Sequence, residues 1–188
     1  MKTFRTAILS ATLLLLQRGF ASAQSKAPSV FFLEDTARNQ WCAFNSEASW
    51  NAAVQDAGAM TVGALTYSND LPSQLDVTET DESGDWTVYD HYFVDEHGRL
   101  VRLSRMINIL PGDRSVSQTF SISEGKATKT AATAKQLSSG KPLTSPKPIW
   151  LPKLPIETNI KMFPFAALLE RSDLRTSNKS CVKIGGRR

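Results

Sequence analysis

The chain holds two histidines, His91 and His97, six residues apart. Asp90 precedes the first, and Asp95 and Glu96 precede the second. Imidazole and carboxylate together are the donor set of a transition-metal site. The spacing argues against one. Successive residues of a strand point to opposite faces, so His91 and its acidic neighbours do not converge, and His97 falls in a turn. No metal and no other cofactor is expected. Asp81, Glu82, Asp85, Asp90, Asp95 and Glu96 crowd around one strand. A carboxylate pair for glycoside hydrolysis can be drawn from them, although a soluble sheet edge and its turns account for the cluster more simply. No HExxH, CxxC, P-loop, GxGxxG or G-x-S-x-G pattern occurs. Serines are abundant, and the members of a Ser-His-Asp triad need not be neighbours in sequence.

The residues of interest sit in Asp85 to Ser123, which reads as three strands and two tight turns. Val116, Phe120 and Ile122, with Gln118 the one polar exception, alternate with Ser115, Ser117, Thr119, Ser121 and Ser123, the pattern of a half-buried strand. Val101, Leu103, Ile107 and Ile109 alternate with polar residues in the strand before it. Trp86 to Val94 is β-branched and aromatic on both faces, as a central strand would be. Asp95-Glu96-His97-Gly98 and Pro111-Gly112-Asp113-Arg114 have hairpin-turn composition. A two-residue loop at His97-Gly98 pairs Trp86, Val88, Tyr92 and Val94 with Ile109, Ile107, Leu103 and Val101. It also sets Asp90 opposite Arg105. A three-residue loop with Gly98 as a bulge sets Tyr89 opposite Arg105 instead. The first register is preferred, because it sorts apolar residues together and gives two awkward charges each other.

Asp90, His91, Tyr92 and Arg105 are therefore the candidate ligand-binding residues, with no catalytic residue assigned. The first functional reading is a secreted or periplasmic non-catalytic module that binds a protein, polymer or small ligand in the concavity of its sheet. The alternative is a small secreted hydrolase using carboxylate and histidine residues of the central hairpin. A third is a protein inhibitor or surface factor presenting the turn Asp95 to Gly98. An enzyme needs two or three ionisable groups converging in one pocket; a binding module does not.

Compartment is read from the ends. Lys2 and Arg5, the apolar run Ala7 to Leu16 and the small-residue site Ala21-Ser22-Ala23 predict a secretory signal peptide over residues 1–23, with the mature chain starting at Gln24. The apolar run is too short to span a bilayer, so no membrane attachment is expected after cleavage. Cys42 and Cys181 are then expected to form a disulfide. The formal charge of +4 includes three basic residues of the leader, so the mature chain stands at +1, with 19 bases against 18 acids. That excludes an overall basic protein aimed at nucleic acid or membrane. The charge is divided along the chain instead: Gln24 to Gly98 carries two bases against 13 acids, and Arg99 to Arg188 carries 17 bases against five acids. Either the halves pack together and neutralise each other, or a bipolar surface recruits a charged partner.

The remaining elements follow from pattern. Val30 to Leu33 and Trp41 to Phe44 read as strands. Ser46 to Ala57 reads as a helix, capped by Asn45 or Ser46 and ended by Gly58, with Trp50, Ala53, Val54 and Ala57 on one face. Met60 to Tyr67 and Gln74 to Thr80 read as strands. Lys126 to Gly140 suits a strand or a weak helix. Residues 138–155 form a Pro/Lys/Ser-rich connector, after which Leu154 to Met162 regains strand-like alternation. Phe163 to Arg171 suits one or two helical turns, and Ser180 to Ile184 a short strand. The expected fold is α+β: an antiparallel β-meander of about five strands, one short helix in the N-terminal half and a Pro-rich extended C-terminal segment, all in one domain over 24–188. Asn178-Lys179-Ser180 is an acceptor sequon for a glycosylating host.

Overall fold

A computed structural model describes residues 29–144, 151–152, 154–169 and 178–184. The predicted leader and residues 145–150 and 153 of the connector lie outside the described residues. Nine strands form one antiparallel sheet: β1 (Ser29–Asp35), β2 (Gln40–Phe44), β3 (Thr61–Ser68), β4 (Leu71–Thr80), β5 (Trp86–Val94), β6 (Leu100–Ile109), β7 (Arg114–Ser123), β8 (Lys126–Gln136) and β9 (Lys179–Lys183). Their lateral order is β8-β7-β6-β5-β4-β3-β1-β2-β9. The expected meander is present, running without interruption from β3 to β8, but the sheet has nine strands rather than about five. The added strands come from three places. Lys126–Gln136 forms β8 at the end of the meander. The β1–β2 hairpin continues the sheet beside β3, and the short C-terminal β9 closes its edge on β2.

The longer helix, α1 (Glu47–Ala57), lies where its caps predict: the Ser46 side chain accepts from Ser49 N, and Gly58 takes a left-handed conformation at the end. A single helical turn, Ala166–Leu169, falls within the expected Phe163 to Arg171. α1 covers the outer face of β1 and β2, against Leu33, Cys42 and Phe44. Trp50 is a packing residue there. Its indole stacks on Phe31 at 5.3 Å and donates to Phe32 O at 2.8 Å.

The inner face of the sheet curls around the chain's own C-terminal segment. Phe163, Phe165 and Leu168 are buried against Phe32, Trp41, Leu65, Leu75, Tyr92 and Leu103. Phe165 stacks on Phe32 at 4.5 Å, and Phe163 meets Tyr92 edge-on at 5.3 Å. Leu151 and Leu154 extend the cover over Val88, Ile107 and Ile109. The predicted alternation of Leu154 to Met162 does not make a strand. The segment runs as irregular chain into a 3-10 turn at Ile160–Met162, because the sheet face beneath it supplies apolar contacts and no free edge.

The central hairpin takes the preferred register over most of its length. Trp86, Val88, Asp90 and Tyr92 pair with Ile109, Ile107, Arg105 and Leu103. The end near the turn differs from expectation: a bulge between Phe93 and Val94 sets Val94 opposite Leu100, and Val101 is exposed. The turn explains the slip. Gly98, at φ 75°, carries the left-handed step, and the Asp95 carboxylate holds His97 N and Arg99 N at 2.9 Å each.

Candidate functional site

Strand alternation divides the four candidate residues between two faces. Asp90, Tyr92 and Arg105 point inward. His91 points outward and does not join them. Arg105 and Asp90 form a bidentate pair, with Nε to Oδ1 at 2.7 Å and Nη2 to Oδ2 at 2.6 Å. Their side chains are 5% and 11% exposed. The same guanidinium donates to Leu154 O at 3.3 Å and Pro155 O at 2.9 Å. Arg105 thus fastens the C-terminal segment to the sheet. Burial works against the charge of both groups. At Asp90 it prevails over Arg105 and raises the carboxyl above its ordinary range. At Arg105 the hydrogen bonds and charge of Asp90 prevail, so the guanidinium stays protonated. Tyr92 is 1% exposed, and burial pushes its hydroxyl well above the usual tyrosine range.

Three carboxylates share this side of the sheet. Glu79 is half-buried. Burial raises its carboxyl above the ordinary range, Asp90 and Glu34 add to the rise, and Arg105 opposes it. Glu34 accepts from Thr61 Oγ1 at 2.9 Å. The sequence offered no reason to link Glu34 and Glu79, which are brought together only by the β1–β3–β4 pairing. A raised acid favours the folded state while protonated, and that contribution is lost as pH rises through the folded pKa. Glu79→Gln should therefore stabilise the protein at pH 7, by less than about 1 kcal/mol because solvent reaches the side chain. The gain should vanish as pH falls towards 4. Denaturant melts at several pH values will show it; a variant less stable than wild type at neutral pH overturns the assignment.

The outer face from β4 onward carries a second network. His91 Nδ1 and Asp76 Oδ1 stand 2.5 Å apart, and Gln74 Nε2 donates to Asp76 Oδ2 at 2.7 Å. His91 meets Phe93 edge-on at 4.4 Å, and the Arg102 guanidinium lies 3.7 Å over the Phe93 ring. His91 and Asp76 are each 33% exposed. Arg102, Ser104, Ser117 and Ser121 on this face are exposed. Register places Asp76, His91 and Ser104 side by side on three neighbouring strands. Among the described residues, no group of three or more His, Cys, Asp or Glu side chains could hold a metal ion. His97 lies in the exposed turn, 3.6 Å from Glu96.

Cys42 and Cys181 form a disulfide. That bond is consistent with an extracytoplasmic location, and no described helix is long and apolar enough to cross a membrane. No family model, no curated protein and no solved structure matches the chain.

Proposed function

We propose that the chain is a secreted or periplasmic, non-catalytic module that binds its ligand on the outer face of β4 to β6. One observation carries the reading. The inner face is filled by the chain's own C-terminal segment, while the outer face beyond α1 presents Gln74, Asp76, His91, Phe93 and Arg102 as one hydrogen-bonded and stacked array. Such an array joins aromatic surface to oriented donors and acceptors, the mixture that polar polymers and small polar ligands require. Asp90, Tyr92 and Arg105 then support the surface from beneath and do not touch the ligand. Soluble oligosaccharides and extended peptides should be screened against the exported protein by calorimetry. Phe93→Ala and Arg102→Ala should each weaken any ligand found by about tenfold, the loss of one good contact, while Gln118→Ala on the opposite face should not. A ligand held equally well by all three variants would place binding elsewhere.

A hydrolytic reading rests on the row Asp76, His91 and Ser104. The carboxylate orients one imidazole nitrogen, as in a serine hydrolase. The Ser104 hydroxyl makes no hydrogen bond to the ring among the described residues, and the row lies on open sheet. Hydrolysis of a simple aryl ester that is lost in both His91→Ala and Ser104→Ala would favour this reading over the first.

A further inference from the structure

The charge division of the sequence becomes lateral in the sheet. β4 and β5 carry Asp76, Glu79 and Asp90 and no lysine or arginine. β6, β7 and β8 carry no carboxylate at all and hold Arg102, Arg105, Arg114, Lys126, Lys129 and Lys135. Few ion pairs join the two sides. Among the described residues these are Asp90 with Arg105 and, in the hairpin turn, Asp95 with Arg99. Between β4–β5 and β6–β8 the neutralisation expected between the halves is therefore concentrated at the central hairpin.

β8 is the outermost strand on the basic side. Its residues from Thr128 to Thr133 are exposed on both faces. No described segment pairs with its outer edge from Lys126 to Thr133. The last part of that edge already accepts extended chain. Leu143 N donates to Ala134 O at 2.9 Å, Gln136 N donates to Lys141 O at 2.8 Å, and Lys135 bridges to Pro142. Strand addition is thus a pairing this edge makes within its own molecule.

We propose that the outer edge of β8 is a docking site for an acidic, extended segment of a partner polypeptide, which adds to the sheet as a further antiparallel or parallel strand. An open edge offers backbone donors and acceptors, and only another backbone satisfies a row of them. Lys126, Lys129 and Lys135 set the sign of the partner. Lys129 pairs with inward Phe120, whereas Lys126 and Lys135 pair with outward Ser123 and Ser115, so cations flank the edge on both faces. Edge lysines and the bulge at Thr130 are devices that keep a sheet from pairing with copies of itself. A second copy of β8 would bring lysines against lysines. The same charges that reject it select an acidic strand. This site is separate from the outer face around His91 and does not depend on it.

The test uses the exported protein and an end-capped peptide alternating glutamate with threonine and valine. Calorimetry should detect binding that weakens with salt, and hydrogen exchange should show new protection in β8 amides and none around His91. By strand alternation Ala132 directs its N–H outward, as Ala134 directs its carbonyl. Ala132→Pro should weaken the peptide at least tenfold, and so should the charge-reversed triple variant Lys126→Glu, Lys129→Glu, Lys135→Glu. Circular dichroism of each variant, together with β8 protection in the unmutated protein, keeps the outcome readable should a variant fold poorly. Equal binding of the same peptide with lysine in place of glutamate overturns the proposal. So does heparin binding that Ala132→Pro leaves intact with no β8 protection by the peptide, since that is a charged patch serving a polyanion. A dimer of the free protein protected at β8 would make a second copy the occupant and would equally overturn it, as would absence of peptide binding at millimolar concentration.

Discussion

Asp90→Leu and Arg105→Leu should each destabilise the protein by about 3–5 kcal/mol, and the double variant should recover part of that loss. Each single change leaves the other group buried at the centre of the sheet with no counter-charge. The two losses should not be equal. Arg105 also holds the Leu154 and Pro155 carbonyls, so its removal frees the C-terminal segment as well as Asp90. The double variant should retain that second deficit and so stay less stable than wild type, while losing less than the sum of the two single losses. The pH dependence has a definite sign. Burial already holds Asp90 above the ordinary range, and without Arg105 a protonated carboxyl fits the site better than an ionised one. Arg105→Leu should therefore lose least stability at acid pH and progressively more as pH rises through the folded pKa of Asp90. Urea melts at several pH values measure both effects. Strictly additive losses would mean that the contacts at 2.6 and 2.7 Å contribute nothing in solution.

Where the sequence is strongly periodic it specified structure closely. The central hairpin was readable because Trp86, Val88, Tyr92, Leu103, Ile107 and Ile109 sort onto one face in a single register, and the misfit pair Asp90 and Arg105 then fell opposite each other. The α1 caps were readable because Ser46 and Gly58 each do one well-defined thing. β8 was ambiguous because its Ala, Thr and Lys residues are exposed and show no buried stripe. The candidate site was legible only in half. His91 lies between Asp90 and Tyr92 in one strand and so faces away from both. The partner of His91 is Asp76, fifteen residues away, and the β4–β5 register was hidden because inward Glu79 breaks the apolar alternation of Leu75 and Val77. The second role of Arg105 had no signal at all. Any residue can offer a backbone carbonyl, so Leu154 and Pro155 carry no mark of it.

The charge division illustrates the same limit from the other side. Counts along the chain gave its magnitude but not its direction. Because the meander adds strands in sequence order, a division along the chain becomes a division across the sheet, with the boundary at the β5–β6 hairpin. From β3 to β8 the signs then change only at that hairpin, while β9, with Lys179 and Lys183, joins the far edge on β2. Within β4 to β8 the ion pairs lie at the central hairpin, which leaves the β8 side cationic and available.

Replacing Cys42 and Cys181 together by alanine should lower stability by about 2–5 kcal/mol. The bond closes a sequence separation of 139 residues, for which the chain-entropy model gives a ceiling of about 5 kcal/mol. The two residues pair directly across β2 and β9. Cys42 is fully buried against Leu33 and Phe44, beneath α1. Alanine fits there without burying a polar atom, so the measured loss reports mainly the cross-link and one small cavity. β9 is an edge strand of five residues, paired among the described residues with β2, so without the bond one short ladder holds it there. Hydrogen exchange should therefore show β9 amides losing protection well before those of β4 to β7. Phe163 and Phe165 should lose less protection than β9, because they also pack on Phe32 and Tyr92, whereas Val182 and Ile184 cover the same cluster from the β9 side. Alkylation of the exported protein without reductant should label neither cysteine. Two freely labelled thiols, or a double-alanine variant as stable as the parent with β9 still protected, would show that the sheet edge is held by pairing alone.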